Sequence, residues 1–214
     1  MDHITWNSKF AYAVGLITAD GNLSPDRRHM AFVSKNIELM HAFKNCLGLK
    51  NRISSKPSGY CKDRKYYVVQ FGNVKLYNFL TNIGLMPNKS KNIGPLLIPA
   101  AYFADFLRGL IDGDGSIGYF MHPESSKKQF RIRIVSASIH FLEWLRKKLT
   151  ISLGTKGSIR CVPRAYQLNY YKKDSHKIAN FIYYDKDVVS LKRKYENAKL
   201  MFTREWRNWH TLTA

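Results

Sequence analysis

Asp20 and Asp114 are the residues best placed by type and spacing to do chemistry. They stand 94 residues apart and close two similar runs, Gly15-Leu16-Ile17-Thr18-Ala19-Asp20-Gly21 and Gly109-Leu110-Ile111-Asp112-Gly113-Asp114-Gly115. A lone Asp-Gly pair is usually a helix stop or a turn. Two of them at equivalent points of a repeat point to function. Carboxylates held close repel, and one tends to take up a proton. A divalent cation between them removes that conflict. Carboxylate oxygens and water suit Mg²⁺ best, with Mn²⁺ or Ca²⁺ as substitutes. Beside a phosphodiester, such an ion stabilises charge, orients water and assists the leaving oxygen. Asp112 has no acidic counterpart, because Thr18 occupies that place, and it reads as peripheral.

For the two carboxylates to meet, the elements that carry them must pair. Positions four apart share one helix face. Ala11, Gly15 and Ala19 make a small-residue stripe on the first helix, and Gly109 and Gly113 make one on the second, with Asp105 at its start. Glycine weakens a helix by roughly 0.5–1 kcal/mol relative to Ala. Its recurrence at matching positions suggests that two helix backbones come close. The expected helices cover 8–20, with Ser8 as N-cap, and 100–114 after Pro99. A glycine then stops each helix.

The duplication runs further. Val33-Ser34 is echoed by Val135-Ser136, and Asn78-Phe79-Leu80 by Asn180-Phe181-Ile182, now 102 residues on, so the second copy carries an insertion. Strand-like stretches fall at 28–34 and 64–72, then at 116–121, 129–137, 157–162 and 165–171. Amphipathic helices are expected near 36–47, 74–83, 139–149 and 175–184. The order is helix, hairpin, helix, hairpin, helix, twice over. The first repeat spans 1–92, a Pro- and Gly-bearing linker 93–98, the second repeat 99–202 and an extension 203–214.

The chain has 35 Lys+Arg against 15 Asp+Glu, a formal charge of +20. That field implies a polyanionic partner, nucleic acid or an anionic membrane surface. No apolar run is long enough to span a bilayer, and no secretory signal is visible. Cys46, Cys61 and Cys161 lack CxxC spacing, which points to a reducing intracellular compartment rather than a zinc finger.

The paired runs resemble the LAGLIDADG homing endonucleases in their monomeric, two-motif form. Ala13 to Gly21 departs from the family pattern at its leading Ala13 and at Val14 and Thr18. Leu107 to Gly115 departs at Arg108 and Gly113. The resemblance implies an α+β fold of two pseudo-symmetric αββαββα repeats. The motif helices would pack at the centre, and two β-sheets would form a saddle on double-stranded DNA. Asp20 and Asp114 would hold divalent metal, with backbone oxygens of Ala19 and Gly113 beside them. The implied activity is hydrolytic double-strand cleavage of a long target by an intron-encoded enzyme. The family also places a basic residue near each scissile phosphate. Lys89, in Pro87-Asn88-Lys89-Ser90, fits in the first half, and Lys194 in the second, with Lys192 close by. Either lysine alone is as easily a solvated surface charge. Lys35 follows Ser34 at a strand end where Ala137 follows Ser136. A non-catalytic DNA-binding regulator and a maturase acting on host intron RNA remain open alternatives.

Between the motifs, residues 21–104 carry 13 Lys+Arg and three acids, and residues 116–173 carry 12 and two. Strands expose alternate residues on one face, so Arg131 and Arg133 share one face of Phe130-Arg131-Ile132-Arg133-Ile134. Arg pairs with guanine, and Asn and Gln with adenine. The candidate readers are Arg28, Lys35, Lys65, Tyr67, Gln70, Lys128, Arg131, Arg133, Arg160, Gln167 and Asn169. Loop residues Lys62, Arg64 and Lys127 fit phosphate contacts. The run 204–210 reads as either packing or a phosphate contact.

Overall fold

The computed structural model describes residues 4–58, 61–121 and 128–200, and all of their side chains except those of 57–65. Lys127 and the run 204–210 lie outside the described residues, and the side chains of Lys62, Arg64 and Lys65 lie outside the described side chains.

The first repeat runs α1 (Ser8–Asp20), β1 (Gly21–Leu23), β2 (His29–Ser34), α2 (Ile37–Leu47), β3 (Ser54–Ser58), β4 (Cys61–Gly72), α3 (Val74–Asn82) and a short α4 (Lys89–Asn92). Residues 93–99 are irregular, and a 3₁₀ turn follows at Ala100–Tyr102. The second repeat runs α5 (Phe103–Asp114), β5 (Gly115–Met121), β6 (Lys128–Ser136), α6 (Ile139–Leu153), β7 (Ser158–Val162), β8 (Ala165–Tyr171) and α7 (Lys172–Ile182). A further helix, α8, covers 192–200. Each half is thus αββαββα followed by one further helix, α4 or α8.

Local chemistry explains the boundaries. Asn7, not Ser8, caps α1: its side chain accepts from Phe10 N at 2.9 Å, and Ser8 is the first helical residue. Asn36, Asn73 and Ser138 cap α2, α3 and α6 in the same way. Gly48 and Gly154 end α2 and α6 in the left-handed region, at φ 63° and 61°, where a side chain is strained. The sequence pattern missed β1 and β3. β1 has three residues, and Ser54-Ser55-Lys56-Pro57 has little strand propensity of its own. Pairing against β2 and β4 makes them strands.

Two four-stranded antiparallel sheets result, ordered β1-β2-β4-β3 and β5-β6-β8-β7. Their inner faces carry Met30, Phe32, Val69 and Phe71 in the first sheet and Phe130, Ile132, Ile134, Leu168 and Tyr170 in the second, all in the core. The two sheets share that core with α1 and α5. Residues Phe10 to Thr18 of α1 are all buried, as expected of a central helix rather than a surface one. The linker is not a loose tether. Ile93, Leu96 and Ile98 are buried, and the Ile93 carbonyl accepts from Ser138 Oγ at 2.6 Å.

Candidate active site

α1 and α5 meet backbone to backbone. A Cβ at Gly15 would lie 2.7 Å from Leu110 N and closer still to the Phe106 carbonyl oxygen. One at Gly109 would overlap the Tyr12 carbonyl, and one at Gly113 would strike Ala19 Cβ. Only glycine permits this approach, and it brings the two C-terminal ends together. Gly21 and Gly115 leave the helices with extended backbone, at φ −82° and −100°. Glycine is needed there for space: a Cβ would lie 2.6 Å from Ile17 O in one case and 2.7 Å from Ile111 O in the other.

Asp20 and Asp114 therefore converge at the joined helix ends, and both reach solvent. Burial raises both carboxyls, and the charge of Asp20 pushes Asp114 up further, to about 6. Lys89 and Lys194 pull both down. Among the described residues, no group of three or more His, Cys, Asp or Glu is placed to hold a metal ion. The donor set is two carboxylates whose mutual repulsion a hard cation would relieve, with its remaining positions left to backbone oxygens, water and a phosphate. That chemistry fits Mg²⁺. Gly113 lines the cleft at Asp20 and Asp114, while the Ala19 carbonyl already accepts from Lys89 Nζ at 3.3 Å.

The two lysines are not on the surface. Lys89 is 7% exposed and Lys194 3%. Lys89 Nζ donates to Gly21 O at 2.5 Å as well as to Ala19 O. Lys194 Nζ donates to Ile111 O, Gly115 O and Asp112 O at 2.5, 2.7 and 2.9 Å. Each ammonium caps its own motif helix, where the helix dipole is negative. All three Lys194 N–H groups are engaged. Burial lowers Lys89 against the pull of Asp114 and Asp20, and it lowers Lys194 to about 8. The lysines supply positive charge from behind the carboxylates.

Asp112 is central, not peripheral. It is 2% exposed, accepts from Tyr12 Oη and Leu191 N at 2.8 Å, and is raised by burial to about 6. Its other oxygen has no partner among the described residues. Nearby, Arg108 pairs with Asp105 at 2.5 Å and donates to Ile182 O and Val189 O, both at 2.7 Å. Asp112, which fits the motif pattern, and Arg108, which departs from it, both tie the segment after α7 to the helix pair. The sequence reading, which took Asp112 as peripheral and gave Arg108 no role, missed these bonds.

Two clefts open at the helix ends. The larger encloses about 350 Å³ and is lined by Asp20, Ser34, Lys35, Tyr66, Asp114 and Arg193, among others. The smaller, about 80 Å³, is lined by Ala19, Lys89, Asp114, Ser136 and Ala137, among others. Tyr66 and Arg193 escaped the sequence reading. Each is one residue from a chosen candidate.

The second sheet gathers most of its candidate readers. Arg131, Arg133, Arg160, Gln167 and Asn169 share its outer face through the pairs Arg133↔Asn169 and Arg160↔Gln167. Arg131 lies 4.1 Å and Arg133 5.7 Å from the Phe120 ring centroid. Asn169 is only 2% exposed and donates to Gln167 O at 3.1 Å. Lys128 sits at the exposed end of β6 and lines one cavity with Arg193 and Asn197. In the first sheet, Gln70 is exposed opposite Ala31 on the outer face. Tyr67 pairs with Ser34 and packs on the core instead. The outer position belongs to Tyr66, which lies under Lys35 at 5.1 Å. Residue parity along β4 already separates 67 from 70. Arg28 is exposed in the turn before β2.

No family model matches the sequence, and no curated protein matches it either. Solved structures do. The homing endonuclease I-WcaI bound to its DNA recognition sequence matches with a TM-score of 0.64 at 12% identity, over 92% of this chain and 88% of that one. Full-length DUF199/WhiA from Thermatoga maritima gives 0.60 at 18% identity over 95% of this chain. The match spans 63% of that protein's length. I-DmoI in complex with DNA and Mn gives 0.53 at 21% identity, over 82% and 96% of the two chains. With glycine-faced motif helices at the centre of two αββαββα repeats, the chain has the two-repeat LAGLIDADG fold.

Proposed function

We propose that this chain is a site-specific DNA endonuclease that cuts both strands of a duplex by metal-dependent hydrolysis. One observation carries the reading. Asp20 and Asp114 converge at the joined C-termini of α1 and α5 and reach solvent in clefts beside the outer sheet faces. The fold is one whose solved members include homing endonucleases bound to DNA. The +20 charge supplies the attraction to the phosphate backbone. Arg131, Arg133, Arg160, Gln167 and Gln70 offer base-reading groups on the outer faces.

Asp20 and Asp114 would hold the cation, which when bound supplies Lewis acidity and an oriented water. The residues do the rest. The buried ammoniums of Lys89 and Lys194 hold the helix ends and favour the ionised carboxylates against the burial that raises them. In the reaction, the water oxygen bonds to phosphorus, one phosphoester bond breaks, and the departing sugar oxygen takes a proton. One chain provides both carboxylates, so a monomer suffices.

The test uses a duplex site selected by binding from a randomised library. Mg²⁺ should give double-strand breaks, and EDTA should stop them. Asp20→Asn and Asp114→Asn should each lower cutting by at least about a hundredfold while leaving binding intact. Full cutting by both variants removes the metal-site assignment. Tight binding with no cutting in Mg²⁺ or Mn²⁺ identifies a DNA-binding regulator instead.

A further inference from the structure

The two clefts are related by the repeat but are chemically unequal. Lys35 corresponds to Ala137, because Ser34 corresponds to Ser136 and each hydroxyl accepts, at 3.1 Å, from the backbone N–H two residues on. Arg193 corresponds to Asn88, because Lys194 and Lys89 each donate to the carbonyl of the glycine that closes their own motif, Gly115 and Gly21. The larger cleft therefore has two exposed cations, Lys35 and Arg193, facing the acidic pair. The smaller has Ala137, and its one lining cation among the described residues, Lys89, is buried and bonded to backbone carbonyls. Neither Lys35 nor Arg193 forms an ion pair among the described residues. Lys35 is steadied over the Tyr66 ring.

Phosphoryl transfer spreads negative charge over the non-bridging oxygens of the reacting phosphate. Exposed cations aimed at those oxygens speed the step, and a cleft without them is slower. Resting on the nuclease reading above, we propose that Lys35 and Arg193 are catalytic residues for one strand only. They would contact the scissile phosphate in the larger cleft, so that the two strands are cut in a fixed order, beginning with that one.

The experiment uses the full chain and a duplex site selected by binding, with each strand labelled by a different dye. The wild type should pass through a nicked intermediate broken in one particular strand. Lys35→Ala and Arg193→Ala should slow that nick about tenfold and leave the other strand's rate within about twofold. Both side chains are exposed, so the variants should fold. Ala137→Lys should speed the slower strand and narrow the difference. Equal nicking rates in the wild type, or equal slowing of both strands in the variants, would overturn the proposal.

A second measurement needs no metal. A neutral methylphosphonate is walked across the central phosphates of each strand in EDTA. One position on one strand should weaken wild-type binding by about threefold, and the effect should vanish in Lys35→Ala. Loss at matching positions on both strands, or on neither, would also overturn the proposal. If the wild type cuts neither strand, the nuclease reading fails and the catalytic role fails with it. The walk would still register whether the phosphate contact exists.

Discussion

Asp112 shows how burial changes what a carboxylate does. Burial holds its folded pKa at about 6, with Lys194, Leu191 N, Tyr12 and Arg108 pulling the other way. An unfolded Asp releases its proton near 4. Between those values the folded state binds more protons, so this group's contribution to stability falls as pH rises from 4 to 6 and is flat above. The amplitude is at most about 3 kcal/mol. Asp112→Asn keeps an acceptor for Tyr12 and Leu191, so that component should vanish from urea melts taken between pH 4 and 7. An unchanged slope would remove Asp112 as its source. Lys194 makes a second test at this scale. Lys194→Met strips three carbonyls of their donor and should cost about 2–4 kcal/mol by chemical denaturation. A surface lysine would cost almost nothing, so the size of the loss distinguishes a helix cap from a solvated charge.

At the scale of elements, the pairing of α1 with α5 depends on atoms that are absent. Gly15 and Gly109 face carbonyl and amide groups of the opposing helix, which cannot rotate away as a side chain would. Gly15→Val should therefore destabilise by roughly 3 kcal/mol or more, at the upper end for overpacking. A thermal melt within a degree or two of the wild type would refute the close approach. The outer sheet faces carry a different expectation. Among the described residues, Arg131 and Arg133 lie against Phe120 and form no ion pair, and on the nuclease reading they would be available to base edges. Replacing either by Ala should cost about 1–3 kcal/mol of discrimination at one or two base pairs, read from a substituted-site binding panel. Equal weakening on every sequence would make them phosphate contacts instead.

At the scale of the molecule, the charge excess of +20 would set the mode of binding on the nuclease reading. Each neutralised phosphate releases counterions, so the log–log slope of affinity against salt should be roughly −0.9 per contact. Titrations from low to physiological salt should give a steep line, and a flat one would sink the model of DNA held against two sheets. Among the described residues, no helix is long and apolar enough to cross a membrane. Glu38 also joins the halves: its Oε1 accepts from Lys192 N at 2.9 Å, capping a helix of the other repeat.

The sequence by itself determined the duplication, the paired Asp-Gly ends, the glycine stripes and the alternation in β6. Each is a periodic or repeated pattern, which survives without knowledge of neighbours. Tertiary structure alone decided what the long polar side chains do. Lys89 and Lys194 have the composition of surface charges, yet partners 68 and 83 residues away turn them inward onto carbonyls. Asp112 became a buried anchor because Tyr12, 100 residues away, reaches it. β1 and β3 exist because other strands pair with them. The inequality of the two clefts is both: Lys35 against Ala137 stands in the sequence, and the fold alone places that difference beside Asp20 and Asp114.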